Sequence, residues 1–235
     1  LAFDQALHRY SLDAVVVPSV TQVLSASGLV DFSGIPKGVL EAAQARGTAV
    51  HSAVHYHEEH DLDLGQFESD FPEYAGYLRS WIVWKGQVGF VSVLNEHRVA
   101  SRRHQVAGTF DALGTYNGHP VLIDIKTGSP RDVAADLQLC AYEALAREQA
   151  AEGDLALRAF FGTHHGLLTR MAVQLKPDGP AVQTIYLDPR DFSAFLTLLS
   201  ARRIVEARKG QAAAWRTAGF TWYQDQNCQA HTFGT

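Results

Sequence analysis

Apolar residues recur along the chain at helical spacing in some stretches and at strand spacing in others. The longest helical stripe passes through Val39, Ala43, Gly47, Val50 and Val54. Predicted helices cover residues 18–28, 36–60, 71–88, 131–149 and 189–209, and predicted strands cover 7–10, 14–17, 90–100, 106–116, 119–126, 158–165, 169–175 and 183–185. This order predicts an α/β (α+β) fold in which helices flank a central mixed β-sheet.

Length and composition are consistent with one domain. The chain has 235 residues, of which 46% are apolar and 19% are charged, so it can bury a substantial core. We expect a single domain over residues 1–235, with a hairpin and helices in 1–88, the central sheet and a helix in 89–150, and further strands and a helix in 151–235. No apolar run of 18 residues and no signal-peptide layout is found, which predicts a soluble protein of the cytoplasm without membrane contact.

Cysteine content and charge exclude some functions. The two cysteines, Cys140 and Cys228, are far apart, so this chain alone cannot build a zinc ribbon or a four-cysteine iron–sulfur cluster. Reduced, structural thiols are expected. A net charge of −5 argues against a protein that coats nucleic acid over its whole surface, so any such contact requires local basic patches.

A predicted hairpin brings two acidic residues together. The sequence Asn117-Gly118 favours a type I′ turn between its strands, and this turn sets a register in which Asp111 lies opposite Asp124. Lys126 follows at the two-residue period of a strand and should share the face of Asp124. Two like charges on a buried face repel each other, so a bound divalent cation would stabilise them. The hairpin therefore predicts a metal site, and it also predicts that Asp124→Ala stabilises the metal-free protein.

The same residues allow an interpretation without a metal. In it, Lys126 neutralises one carboxylate and the other faces water at the end of the sheet. A single Asp-x-Lys triplet favours this structural interpretation. The combined agreement of the turn, the register, the second acid and the lysine favours metal binding instead.

The long predicted helix offers a nitrogen ligand. His51 lies one turn after Gly47 and one turn before His55, so the three residues lie on one face. Glycine inside a helix costs roughly 1 kcal/mol relative to alanine, so Gly47 predicts the close approach of another backbone. An imidazole beside two carboxylates would complete a mixed nitrogen and oxygen site. For His55, His57 and His60, a partly solvated helix face is the better interpretation.

Five short motifs follow one another in the first two thirds of the chain. They are RGTAVH at 46–51, Glu96 in a predicted strand, AGTFD at 107–111, DIKTG at 124–128 and DLQLCAY at 136–142. In order and spacing they resemble the PD-(D/E)XK nuclease superfamily, most of all its RecB-type branch, which includes phage exonucleases. The resemblance implies a restriction-endonuclease-like core with a helical N-terminal part. Iron–sulfur relatives are disfavoured because their four cysteines are missing.

The resemblance implies metal ligands at matched positions. Asp111 and Asp124 would ligate Mg²⁺ or Mn²⁺ with the backbone carbonyl of Ile125, and His51 would be the ligand typical of the RecB branch. An aspartate stands before the motif's lysine, where many members have glutamate, but both residues occur in the family.

The resemblance also implies catalytic roles outside the metal ligands. Lys126 would orient or activate the attacking water and steady charge on the phosphate. Gln138 and Tyr142, four residues apart on a predicted helix, would reach that lysine or the DNA backbone. Glu96 would assist from the preceding strand. Polar residues on an amphipathic helix are ordinarily solvent-facing, so Gln138 and Tyr142 depend on the motif alone.

Basic residues cluster before the first acidic strand and again late in the chain. The candidates for contacts to nucleic acid are Arg98, Arg102, Arg103, Thr127, Arg131, Arg202 and Arg203. Solvated faces of helices and loops explain many such clusters equally well.

These observations predict a Mg²⁺- or Mn²⁺-dependent DNA nuclease. An exonuclease acting in recombination, repair or phage DNA processing is the favoured form, with a recombination or replication protein as a further partner. Two alternatives stay open: a catalytically silent DNA-binding scaffold of the same fold, and a metal hydrolase of a small phosphorylated substrate. The small-substrate hydrolase would lack salt-sensitive DNA binding.

Overall fold

The structure, a computed structural model, describes residues 1–29, 33–128 and 134–217, with side chains up to residue 211. The strands are β1 (Ala2–Asp4), β2 (Arg9–Leu12), β3 (Val15–Val17), β4 (Phe90–Ser101), β5 (Val106–Tyr116), β6 (His119–Lys126), β7 (Thr169–Gln174) and β8 (Val182–Tyr186). The helices are α1 (Val20–Ala26), α2 (Lys37–Glu58), α3 (Leu64–Asp70), α4 (Pro72–Val88), α5 (Ala135–Glu152), α6 (Leu155–Thr163) and α7 (Asp191–Thr217).

Five strands form a mixed sheet in the order β4-β5-β6-β7-β8. The β6–β7 pair is parallel and the other pairs are antiparallel, so the predicted mixed sheet is confirmed. Within the β5–β6 hairpin, Tyr116 pairs with His119 as the Asn-Gly turn requires. This regular pairing ends at Ala112 and Ile123, one step before the two acids.

Helices cover both faces of this sheet. One buried cluster joins β6 to α1, α5 and α7 through Leu122, Val20, Leu139 and Phe195. A second cluster joins the opposite face to α2 and α4 and includes Ile123, Val54, Trp81 and Val173. Because the consecutive residues Leu122 and Ile123 are both fully buried, β6 is enclosed on its two faces.

Several helix boundaries follow from local signals in the sequence. Ser19 caps α1 with its side chain, which accepts from the Gln22 backbone N–H at 3.0 Å, while the Gln22 side chain accepts from the Ser19 N–H. Pro72 opens α4, and Gly89, with φ +63°, ends it in the left-handed conformation that glycine tolerates. None of the described helices is both long and apolar enough to cross a membrane.

The predicted strand at 158–165 is wrong, because this segment lies largely in helix α6. Asp154 caps this helix by accepting from the Leu157 backbone N–H at 3.0 Å. Leu157 and Phe160, three residues apart, are both buried in the core cluster that α6 shares with α5. The β-branched and aromatic character of the segment is therefore outweighed by a cap and a helical pair of core residues. Helix α3 in the acidic segment and strand β1 were not predicted.

A separate three-stranded antiparallel sheet, β1-β2-β3, packs on one end of the β4–β5 pair. Tyr10, Leu12 and Val17 bury against Ala100 and Ala107. The Ala107 N–H also donates to the carbonyl of Pro18 at 3.1 Å. The small sheet is thereby held beside β4 and β5, which carry Glu96 and Asp111.

Cys140 is a buried thiol on α5. Its Sγ donates to the carbonyl of Leu137 at 3.1 Å, and burial raises the pKa of the thiol to about 12. It therefore stays protonated, in line with the structural role expected. Cys228 lies outside the described residues.

Candidate active site

Three side chains from separate elements form an acid cluster, which we define as His51, Glu96 and Asp111. His51 Nδ1 on α2 lies 3.3 Å from Asp111 Oδ1 on β5 and 3.9 Å from Glu96 Oε1 on β4. Their ligand atoms all lie within 4.8 Å of one another. One imidazole nitrogen and two carboxylates at this separation can hold a divalent cation.

The backbone at Glu96 is irregular, and this irregularity lies at the acid cluster. Asn95 pairs with Ala112 and His97 pairs with Phe110, while Glu96 between them has φ +46° and lies opposite Asp111 without regular pairing. A left-handed conformation at a non-glycine residue costs on the order of 1–3 kcal/mol. Sequence periodicity alone offers no signal for this local break in the strand.

A second set of side chains, which we call the lysine group, consists of Asp124, Lys126, Gln138 and Tyr142. Lys126 Nζ lies 2.8 Å from Asp124 Oδ2 and donates to Gln138 Oε1 at 3.1 Å. Gln138 Nε2 donates in turn to Asp124 Oδ1 at 2.9 Å. The amide of Gln138 thus contacts both members of the ion pair, and α5 holds the lysine over the end of β6.

Tyr142 follows Gln138 by one turn of α5 and packs on β5. Its ring lies over Gly108, where an added Cβ would come within 2.5 Å of Tyr142 Cε1. Burial and the charges of Asp111 and Asp124 raise the pKa of the Tyr142 hydroxyl, so it remains protonated and can donate. The need for glycine at position 108 belongs to the AGTFD motif, but its reason becomes visible only in the packing.

Charge stabilises the metal-free acid cluster. Burial by itself would lower the pKa of His51, but the charge and hydrogen bonds of Asp111 and Glu96 raise it well above 6.5. Burial would raise the pKa of Asp111, yet the positive charge of His51, the Ile125 N–H and Lys126 lower it below 3.8. In the metal-free protein these two residues therefore form an imidazolium–carboxylate pair.

The two sets of side chains meet at the β5–β6 hairpin. Asp111 Oδ2 accepts from the Ile125 backbone N–H at 2.5 Å, in place of the regular pairing that ends one residue earlier. Among the described residues, Asp124 lies outside the acid cluster and pairs with Lys126. The expectation that Asp111 and Asp124 repel each other is therefore wrong for the metal-free protein. Each carboxylate has its own cationic partner, His51 for Asp111 and Lys126 for Asp124.

Gly47 on α2 precedes His51 by one turn, but the close backbone expected there is not found. Within the described residues, the single atom within 4 Å of an added Cβ is the hydroxyl oxygen of Thr127, at the ordinary contact distance of 3.9 Å. Thr127, in the motif that carries Lys126, therefore lies beside α2 one turn before His51.

The basic residues predicted to contact nucleic acid differ in whether they already have partners within the protein. Arg98 is exposed on β4, whereas Arg102 is held by Asp13 and by Glu152, the latter at 2.7 Å. Arg202 donates to the carbonyl of Gln22 at 2.8 Å, Arg203 donates to the carbonyl of His104, and the Arg103 backbone N–H donates to Glu148. Arg131 lies outside the described residues. The role of each in nucleic-acid binding stays a prediction.

Comparison with a protein-family model supplies the family. The model described as the PD-(D/E)XK nuclease superfamily matches residues 29–231, more than half of this chain. The chain belongs to the PD-(D/E)XK nuclease superfamily. The resemblance inferred from the five motifs is thus confirmed at the level of the superfamily, and the RecB-type branch stays a prediction.

Two solved structures are similar to this PD-(D/E)XK chain at low sequence identity. One is a Eubacterium rectale protein that bears the provisional name of exonuclease, with 14% identity, a TM-score of 0.44, and coverage of 70% of this chain and 68% of that one. The other is SSO0001, with 17% identity, a TM-score of 0.33, and coverage of 67% and 73%. No curated protein matches this chain.

Proposed function

We propose that this PD-(D/E)XK protein is a Mg²⁺- or Mn²⁺-dependent deoxyribonuclease of the RecB-type branch. We propose further that it is an exonuclease, acting in recombination, repair or phage DNA processing. The observation that carries the proposal is that an acid cluster suited to a divalent cation adjoins a lysine held by Asp124 and Gln138, with the Asp111–Ile125 hydrogen bond joining the two.

The donor set fits a hard divalent cation. His51, Glu96 and Asp111 would hold it, with Asp124 and the carbonyl of Ile125 as the further ligands that the family resemblance implies. Carboxylate and carbonyl oxygens are the preferred ligands of Mg²⁺ and Mn²⁺, and the imidazole adds a nitrogen donor. Such a cation lowers the pKa of bound water and neutralises charge on the phosphate.

The protein's own residues position the remaining groups. Lys126 presents an ammonium at the end of β6, where it can donate to a phosphate oxygen or to the attacking water. Gln138 accepts from Lys126 and donates to Asp124, which restricts the lysine to one side of the site. Tyr142 keeps its proton and so can act as a hydrogen-bond donor, but it cannot act as a base at neutral pH.

The central experiment incubates the protein with end-labelled single-stranded DNA, double-stranded DNA and RNA in Mg²⁺, Mn²⁺ or chelator. We expect cleavage of DNA in either metal and none in chelator, and the product ladder distinguishes an exonuclease from an endonuclease. Lys126→Met should abolish cleavage. Lys37→Met is the matched control, because Lys37 is exposed on α2 and contacts Glu41 on the same helix.

Each other outcome contradicts a stated part of the proposal. Salt-sensitive DNA binding without cleavage in any metal would support the silent scaffold. Turnover of small phosphate esters without DNA binding would support the small-substrate hydrolase. Cleavage that persists in chelator, or full activity of Lys126→Met, would exclude the proposed mechanism.

A further inference from the structure

An aromatic group lies on the small sheet beside the acid cluster, and we call it the hairpin cluster: Phe3, His8, Tyr10 and Arg98. The Phe3 and Tyr10 rings pair across β1 and β2 with centroids 4.6 Å apart, and His8 meets the edge of the Phe3 ring at 5.3 Å. The Arg98 guanidinium carbon lies over the Phe3 ring, 5.0 Å from its centroid. The hairpin cluster thus combines a cation with rings in tilted and edge-on contact.

The hairpin cluster adjoins the acid cluster through β4 and β5. Arg98 pairs with Thr109 across these strands, and the Thr109 hydroxyl hydrogen-bonds the Tyr10 hydroxyl at 2.8 Å. Thr109 precedes Asp111 by two residues, and Arg98 follows Glu96 by two. Since the strand rise is about 3.3 Å per residue, Thr109 lies about 7 Å along β5 from Asp111.

Burial and charge distinguish Arg98 from the other arginines near the small sheet. Arg98 and His8 are exposed and Phe3 is half-buried, so the guanidinium is open to solvent. No carboxylate among the described residues forms an ion pair with Arg98, whereas Arg102 contacts both Asp13 and Glu152. An exposed cation supported by an aromatic ring is not required for packing the core, and it complements an anionic strand with exposed bases.

We infer that the hairpin cluster is a subsite for one unpaired nucleotide, whose base stacks on the Arg98 guanidinium. Phe3 is a positioning residue that supports the guanidinium from below, and His8 borders the stack. This inference rests on the proposed nuclease function and narrows its substrate to a strand with an unpaired base next to the scissile phosphate. Bases within an intact duplex are stacked on each other and cannot occupy the subsite without separating.

The test measures binding of a single-stranded oligonucleotide in Ca²⁺, under conditions in which the wild-type protein does not cleave. Arg98→Lys keeps the charge but removes the planar group, and Phe3→Leu removes its support while keeping an apolar side chain. We expect each to weaken binding on the order of tenfold, as loss of one base stack does. Turnover of bis(p-nitrophenyl) phosphate by the wild-type protein, a small diester without a base, tests the proposed function separately.

An abasic nucleotide scanned along the oligonucleotide locates the stacked base. At one position, removal of the base should weaken wild-type binding as much as Arg98→Lys does and should not weaken the variant further. Additive effects at every position, or wild-type affinity of Arg98→Lys, would overturn the inference. Arg98 is exposed, so Arg98→Lys should fold even if Phe3→Leu does not.

The matched control is Arg147→Gln, compared with Arg98→Gln. The guanidinium of Arg147 also lies over a ring, 4.7 Å from the centroid of Phe161, but it is paired with Glu143. Equal losses of binding in the two variants would indicate a general charge effect and contradict the subsite. A wild-type protein that cleaves neither DNA nor the small diester would instead contradict the proposed function.

Discussion

The acid cluster and the lysine group adjoin each other but are built differently. The acid cluster joins α2, β4 and β5, and its side chains are partly open to solvent, with exposed fractions of 29% for His51, 36% for Glu96 and 13% for Asp111. In the lysine group, Asp124 is only 3% exposed, and Asp124, Lys126 and Gln138 each contact the other two. The two acids of one hairpin therefore have different partners: Asp111 contacts His51, and Asp124 contacts Lys126 and Gln138.

The largest expected effect is a loss of DNA cleavage. Asp111→Asn and Lys126→Met should each reduce metal-dependent DNA cleavage by about 10²–10⁴-fold, since Asp111 is proposed to hold the cation and Lys126 to act on the phosphate or the water. Isothermal titration calorimetry with Mn²⁺ should show that Asp111→Asn loses cation binding while Lys126→Met keeps it. The Asn oxygen can still accept from Ile125, which preserves the hairpin. Loss of Mn²⁺ binding in both variants would mean that the two groups act as one site.

The next effect concerns the stability of the metal-free protein. Asp124→Ala should lower the free energy of unfolding by about 2–3 kcal/mol, because it leaves Lys126 without its buried carboxylate. This expected loss of stability is the opposite of the stabilisation that repulsion between Asp111 and Asp124 predicts. Urea unfolding in chelator measures it, and the double variant Asp124→Ala/Lys126→Met should recover part of the loss. A more stable Asp124→Ala protein would restore the repulsion model.

One glycine lies beside each group of side chains, Gly47 near His51 and Gly108 under the Tyr142 ring. Substitution by alanine should change the stability of the protein in opposite directions at these two positions. Gly108→Ala places a Cβ 2.5 Å from the Tyr142 ring and should destabilise the protein by about 1–3 kcal/mol. Gly47→Ala meets only the Thr127 hydroxyl at 3.9 Å and should stabilise α2 by up to about 1 kcal/mol. Thermal unfolding of both variants measures the difference. Equal destabilisation would indicate a tighter contact at Gly47 than the structure shows.

The smallest effect is the pH dependence of the acid cluster without metal. The pKa of His51 is raised in the folded protein, so its contribution to stability is present below 6.5 and is lost as the pH rises through the folded pKa. The pKa of Asp111 is lowered, so its contribution is lost only as the pH falls below 3.8. His51→Gln should therefore cost most stability at about pH 5–6, and the difference from wild type should shrink at alkaline pH.

Denaturant titrations of His51→Gln and wild type in chelator, across this pH range, measure that difference. His119→Gln is the control, since His119 is exposed at the start of β6. A difference that grows as the pH rises would show that His51 is neutral in the metal-free cluster.

Local sequence signals predicted much of the fold. The Ser19 capping box, Pro72 and Gly89, and the Asn117-Gly118 turn each act over a few residues, so α1, α4 and the β5–β6 register could be predicted. The segment at 158–165 is wrongly predicted as a strand because its aromatic residues fit either structure, and the Asp154 cap together with burial of Leu157 and Phe160 favours helix α6.

The motifs likewise identified the residues of the candidate site but not their partners. Sequence order could place His51, Glu96, Asp111, Asp124, Lys126 and Gln138 in one family pattern. The pairing of Asp111 with His51 and the contacts of Gln138 with Asp124 and Lys126 depend on distances between elements that are far apart in the chain. The left-handed backbone at Glu96 and the approach of Tyr142 to Gly108 arise in the same way.

By itself, then, the sequence determined most of the elements, the hairpin register and the chemical types available for a phosphodiester-cleaving site, because these follow from short-range backbone preferences and from motif order. Only the tertiary structure decided that Asp111 meets His51, and that the small sheet places Phe3 and Arg98 beside the acid cluster. The physical reason is that electrostatic pairing and stacking depend on distances of a few ångströms between residues separated by tens of positions, which no local pattern encodes.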